Sequence, residues 1–170
     1  KELWAYNGDT VRMVDDINPG SKDSYPINFV KMNDGVYFFA DHVDHGQEIW
    51  KYDGQLVTRV TEMAAGSDDV SPEFMVSTGD ALYFAASNGT DGYELWTYDG
   101  TSARLLFDIY GGSGSSWPED LFVFNNKVYF NARDITDTHL WELDPALITN
   151  NEFIKNNIQR LSLYPNPTSN

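Results

Sequence analysis

At 170 residues the chain is long enough for one domain with a core of its own, and 15% aromatics with 13 glycines suit strands and turns better than helices. The formal net charge of −15, from 26 acidic against 11 basic residues, disfavours a nucleic-acid duplex or an anionic bilayer as partner, because either would repel it. Zero cysteines exclude a disulfide framework and thiol chemistry, and no stretch approaches the roughly 18–20 apolar residues of a membrane span.

The chain opens on KELWAYNGD with neither initiator Met nor signal peptide, so Lys1 is not expected to be the natural start. Hairpin turns are predicted near Gly8 and at Asp34-Gly35. EIWKYDG and LVTRVTEM then flank a third turn at Asp53-Gly54. AAGSDDVSP reads as a longer loop whose Pro72 stops regular pairing. EFMVSTG and ALYFAAS make another hairpin around Gly79-Asp80, YELWTYDGT a further one at Gly100, and Asn125-Asn126 marks the next. HLWELD begins what looks like a repetition of the opening words, and no stretch before residue 145 offers an apolar 3.6 periodicity.

That repetition is regular. Trp4, Trp50, Trp96 and Trp141 lie 46, 46 and 45 residues apart, and the pairs Tyr37-Phe38, Tyr83-Phe84 and Tyr129-Phe130 keep the same step. So do Pro26, Pro72 and Pro118, and Gly8, Gly54 and Gly100. A period of about 46 residues with four short strands per unit predicts an all-β fold of tandem four-stranded antiparallel β-propeller blades. A β-solenoid is the rival, but its coils are usually shorter and lack two tight hairpins per unit. The predicted organisation is three repeats and the start of a fourth over 1–144, a linker over 145–160, and a separate segment over 161–170. A ring typically needs about 4–8 blades, so further blades upstream of Lys1 are expected. The repeated aromatics are expected to pack between blades, and Asp53-Gly54 and Asp99-Gly100 to form turns rather than catalytic carboxylates.

ELWTYDGT, the Asp108-Ile109 pair, GGSGSSWP, VYF and the Asp91-Gly92 pair before the next ELW resemble the ELWxxDGT repeat family. The resemblance runs from residue 1 to about 144. It implies a large secreted or surface protein of bacteria, of the Bacteroidota type, in which the repeats form a propeller. Asn7 in place of Asp is a departure in the first copy, and the fourth copy breaks down at Pro145, where the array is expected to end. Beyond the polar, Asn-rich ALITNNEFIKNNIQR, the stretch LSLYPNPTSN resembles the opening of the C-terminal sorting domain of type IX secretion substrates, carried by Leu163, Tyr164, Pro165, Asn166 and Pro167. Pro165 and Pro167 bracket Asn166 in an extended or turn conformation that suits the exit from a strand. This resemblance implies an outer-membrane translocon and its shuttle proteins as partners, and secretion or display on the cell surface. A complete domain of this kind would run some tens of residues past Asn170.

Candidate chemistry gathers in three loops, DHVDHG (41–46), SNGTDG (87–92) and RDITDT (133–138). Asp41 and Asp44, Asn88 and Asp91, and Asp134 and Asp137 recur at a spacing of three. These are candidate Ca²⁺ ligands, because closely spaced oxygens on a Gly-bearing loop are what that ion requires. The same residues also dominate plain turns by bonding their own backbone. His42 and His45 form an HxxH, but no third ligand is identifiable and the other copies lack both. Asn88-Gly89-Thr90 fits a glycosylation sequon, which a bacterial source would leave idle. GxSxG, P-loop, GxGxxG and HExxH motifs are absent from the sequence. Two functions compete: a non-enzymatic surface or secreted propeller that binds a protein or glycan, and a propeller-based enzyme acting on polysaccharide. Catalysis would need residues that break the repeat and converge, and the clear breaks are His42, His45 and Trp117.

Overall fold

The computed structural model describes residues 1–63 and 71–148, together with the backbone of 158–160. Leu163, Tyr164, Pro165, Asn166 and Pro167 lie outside the described residues. The described residues are all-β, with about half of them in strands. Its strands form a β1 (Leu3–Tyr6) and β2 (Val11–Asp15) hairpin followed by three four-stranded antiparallel sheets. The second sheet holds β3 (Ile27–Met32), β4 (Gly35–His42), β5 (Gly46–Tyr52) and β6 (Val57–Arg59). The third holds β7 (Glu73–Ser77), β8 (Leu82–Ser87), β9 (Tyr93–Tyr98) and β10 (Ala103–Phe107). The fourth holds β11 (Glu119–Phe124), β12 (Lys127–Arg133), β13 (Thr138–Leu143) and β14 (Ile158–Arg160). Within each four-stranded sheet every strand pairs with its neighbour in sequence. Among the described residues no helix is long and apolar enough to cross a membrane.

Local chemistry explains the hairpins. Asp53 Oδ1 accepts from the N–H groups of Gln55 and Leu56, both at 2.8 Å, and Asp99 Oδ1 accepts from Thr101 and Ser102 at 2.9 Å. Gly54 and Gly100 follow with φ of 101° and 90°, which a side chain would strain. Asn7 does the same work for Asp9 and Thr10 at 3.0 and 2.9 Å, so its departure from Asp leaves the turn intact. An amide oxygen is as good an acceptor here as a carboxylate.

The sheets stack face to face in chain order. Leu3 and Ile17 of the first pack on Phe38 and Ala40 of the second. Met32, Tyr37, Phe39 and Ile49 of the second pack on Met75, Phe84, Trp96 and Tyr98 of the third. Tyr83, Leu95 and Ile109 of the third pack on Val128, Phe130, Trp141 and Leu143 of the fourth. The first strands β3, β7 and β11 lie side by side, and Asn33 ties the β3–β4 turn to Gly79 and Asp80 of the β7–β8 turn. In the third sheet, covered on both faces, all six residues of β9 are buried. In β12 of the last sheet burial alternates, because among the described residues another sheet covers only one of its faces.

The repeated tryptophan measures the same effect. Each one faces the preceding sheet and pairs across strands with the Phe of the Tyr-Phe doublet: Trp50 with Phe38, Trp96 with Phe84, Trp141 with Phe130. Trp96 and Trp141 are 7% and 8% exposed, whereas Trp4 is 58% exposed.

In each of the first three sheets a glutamate carboxylate joins the sheet to the chain that leaves it. Glu94 is fully buried. It accepts from Ser116 N–H at 2.7 Å, Ser116 hydroxyl at 2.5 Å and Ile109 N–H at 3.0 Å. Glu2, two periods earlier, accepts from Ser24 N–H at 3.1 Å, Ser24 hydroxyl at 2.7 Å and Ile17 N–H at 3.2 Å. At Glu48 the hydroxyl comes from Thr61 at 2.6 Å and the N–H from Met63 at 2.9 Å, and position 70, the counterpart of Ser24 and Ser116, is Val. Burial pushes the Glu94 carboxyl up from its ordinary value, while the donors of Ser116 and Ile109 pull it back.

The end of the array differs from expectation. Asp144 caps a 3-10 turn over Pro145–Leu147. Instead of ending the sheet there, the chain returns, and Ile158–Arg160 pair with β13 in the register Leu143↔Ile158 to Trp141↔Arg160. Part of the stretch read as linker is therefore the fourth strand of the last sheet. Pro145 stands where the other copies have a turn Gly at φ of 90° to 101°, which a proline ring held at φ of about −65° cannot adopt, so a tight hairpin gives way to a longer connection.

Two outcomes follow for stability. Both Glu94 oxygens accept from rigid N–H groups, so Glu94→Gln turns an amide NH₂ against one of them. Unfolding in urea is expected to show a loss of about 2–3 kcal/mol. Trp96→Ala is expected to lose about 3–5 kcal/mol and Trp4→Ala less than about 1 kcal/mol by the same measurement, although the two occupy the same place in the repeat.

Candidate binding face at the loop end

In an antiparallel meander the turn between the second and third strands and the link to the next sheet lie at the same end. That end therefore carries the β4–β5, β8–β9 and β12–β13 turns together with the β2–β3 and β10–β11 connections. Every candidate loop residue of the sequence falls there.

Four of the six candidate Ca²⁺ ligands, Asn88, Asp91, Asp134 and Asp137, are bonded within their own turns. Asn88 Oδ1 accepts from Thr90 and Asp91 N–H, each at 2.9 Å, and its Nδ2 donates to Asp91 Oδ2 at 2.7 Å. Asp134 Oδ1 accepts from Thr136 N–H at 2.7 Å, from Asp137 N–H at 3.1 Å and from the Thr136 hydroxyl. The Thr136 hydroxyl first, and then these N–H groups, hold the Asp134 carboxyl at about 2. Asp137 Oδ1 accepts from Thr138 N–H at 2.8 Å, and Asp41 Oδ1 from Gln47 Nε2 at 3.1 Å. Asp44 enters through its backbone, its N–H donating to His42 Nδ1 at 3.1 Å. Among the described residues no group of three or more His, Cys, Asp or Glu is placed to hold a metal ion.

The two histidines meet, with ring centroids 4.8 Å apart, and His42 lies 6.1 Å from Trp50. His42 Nδ1 is engaged by the turn, so the pair acts as a cap on an aromatic surface rather than as a ligand set. His42 borders an open groove of about 510 Å³ with Asn18, Asp23, Tyr25 and Asp41. In the fourth copy His139 stands where the other three have the clasp glutamate. It faces its own turn, with Nε2 3.6 Å from Asp134 Oδ1.

The third sheet has the other repeat-breaking residue. Trp117 precedes Pro118 with φ of 50°, and the counterparts Tyr25 and Ser71 share that left-handed twist at 44° and 41°. A bulky residue at positive φ before proline is unfavourable twice over, so something must hold it. Ser116 and Trp117 N–H both donate to Tyr93 O, as Ser24 and Tyr25 N–H both donate to Lys1 O. Trp117 is lifted out, 57% exposed, and stacks on Tyr93 with centroids 5.0 Å apart and planes at 28°. The two bound a groove of about 420 Å³ with Ser71, Glu73, Ser87 and Ser115.

The sequence singled out Trp117 and the acidic turns but missed the clasp glutamates and the role of Tyr93. The signal for the glutamates was present, since positions 2, 48 and 94 are Glu at the same step as the tryptophans. No family model matches the chain, and no curated protein is significantly similar to it.

Because the turn carboxylates are occupied by N–H donors, millimolar Ca²⁺ followed by excess chelator is expected to leave the melting temperature unchanged. Asp134→Ala, which removes the acceptor of the turn, is expected to lower the melting temperature in the same melts.

Proposed function

We propose that the chain is part of a β-propeller in an exported, non-enzymatic bacterial protein of the ELWxxDGT-repeat type. The propeller is cargo that binds a glycan or protein at its loop end, and the residues from Leu161 onward open the sorting domain that type IX secretion reads. The observation that carries the repeat reading is atomic: Glu2 and Glu94, two periods apart, take the same three donors from counterpart residues. Chance similarity of sequence would not reproduce that geometry. Consecutive antiparallel meanders stacked face to face, with their first strands adjacent, are what blades look like locally. A surface that is acidic, free of cysteine and built on repeats suits a protein that works outside the cell.

The enzyme alternative draws no comparable support. The fully buried carboxylates Glu48 and Glu94 are tied to backbone N–H groups, and of the repeat-breaking residues His42 and His45 share the β4–β5 turn while Trp117 stands in the β10–β11 connection.

The test of the export claim is deletion of Leu161–Asn170 in the native host, followed by assay of medium and cell surface. The truncated protein is expected to be retained inside the cell envelope. Export at the normal level would remove the sorting reading and leave the array with no assigned route.

A further inference from the structure

We infer that the groove between Trp117 and Glu73 is a sugar-binding site, taking a neutral pyranose unit of a glycan with its apolar ring face against the Trp117 indole. The inference rests on the reading of the chain as a non-enzymatic binding protein and names the ligand class. Three observations meet in this groove. The first is the platform: Trp117 is 57% exposed while the Tyr93 beneath it is buried at 7%. One face of the indole is therefore backed by a ring and another is open to solvent. An aromatic face of this kind matches the C–H face of a pyranose, and the stack beneath holds it in one orientation.

The second is preorganisation. Tyr93 donates its hydroxyl to Ser71 O at 2.8 Å and its N–H to Ser115 Oγ at 2.9 Å, and it accepts from Trp117 N–H at 3.2 Å. The Glu94 carboxylate next to it holds Ser116, the residue before Trp117. The platform is thus fixed from both sides before any ligand arrives, which lowers the ordering cost of binding. The twist before proline recurs at Tyr25, Ser71 and Trp117; Tyr25 is also turned outward, at 46% exposed, and the indole is particular to Trp117.

The third is the lining. Ser87 and Ser115 each accept from a backbone N–H, of Gly89 and Tyr93 respectively, so each hydroxyl still carries a proton of its own to donate. Glu73 supplies an acceptor carboxylate, and at about 420 Å³ the groove is within the range of small-ligand clefts, about 300–1,000 Å³. Hydroxyl donors and a carboxylate beside an aromatic face are complementary to vicinal sugar hydroxyls. Glu73 and the net charge of −15 weigh against uronate or sulfated polymers.

The test is titration of the intact chain, read by tryptophan fluorescence and by retardation in polysaccharide-containing gels. The probes are neutral oligosaccharides of glucose, mannose, galactose and N-acetylglucosamine, with a polyuronate and a proline-rich peptide for contrast. At least one neutral sugar is expected to bind and the polyuronate not to bind. Trp117→Ala is expected to weaken binding about tenfold or more and Trp117→Phe to retain part of it, with melting temperatures close to that of the parent. Failure of every neutral sugar, binding that Trp117→Ala leaves unchanged, or binding of the peptide or polyuronate alone would each overturn the site. These titrations do not depend on export, so a failed deletion experiment in the host and a failed sugar titration are separate results.

Discussion

A glutamate carboxylate stays in an apolar interior only if donors replace the water it has lost, and at Glu94 those donors belong to the chain leaving the sheet. Ile109 and Ser116 supply two backbone N–H groups and a hydroxyl, and Glu2 and Glu48 use the same arrangement with Ser24 and Ile17, or Thr61 and Met63. Desolvation makes an unpaired charge here intolerable, so the connection cannot drift without leaving the carboxylate bare. The outgoing loop is therefore held to the third strand of its own sheet, and that decides where the next sheet begins. In the fourth copy His139 occupies the position and bonds within its own turn, and the chain beyond it follows a different path.

With the connections held, packing sets the character of each strand. A sheet between two neighbours buries residues on both faces, so β9 reads as a continuous apolar and aromatic run rather than as an alternation. A sheet with one neighbour keeps the alternation, as β12 does. The two residues of the Tyr-Phe doublet point to opposite neighbours in a fixed way, and the Trp points with the Phe. The Phe side and the Trp face the preceding sheet, while Tyr37 and Tyr83 face the following one. Sheet order in space thus follows sheet order in sequence.

The clasp also shapes the loop end. Holding Ser116 at Glu94, and Trp117 N–H at Tyr93 O, forces the residue before Pro118 into a left-handed twist that turns its side chain away from the core. In this way a structural device of the repeat leaves one position per copy turned outward at the loop end, where variation costs little. The acidic turns nearby are held by another means, since Asn88 accepts from the N–H groups of Thr90 and Asp91, and Asp134 from those of Thr136 and Asp137. Rigid turns around a variable, outward-facing side chain are a workable frame for recognition.

Much of the fold was legible because its signals are local and repeated. The 46-residue step, the Asp-Gly turns and the alternation of hairpin and loop follow from backbone preferences that act over a few residues, and four copies multiply a weak signal into a strong one. The sequence by itself therefore determined an all-β chain of antiparallel units and the places of its turns. It could not reveal that Ile158–Arg160 return to β13, since three residues after a polar stretch carry no period. Nor could it separate the glutamates of ELW from any other surface acid, because their role exists only where Ser116 and Ile109 come back to meet them. Whether Trp4, Trp50, Trp96 or Trp141 is covered was decided by tertiary structure alone. Burial and hydrogen bonding belong to pairs of segments far apart in sequence, and identical words acquire different meanings according to what is stacked against them.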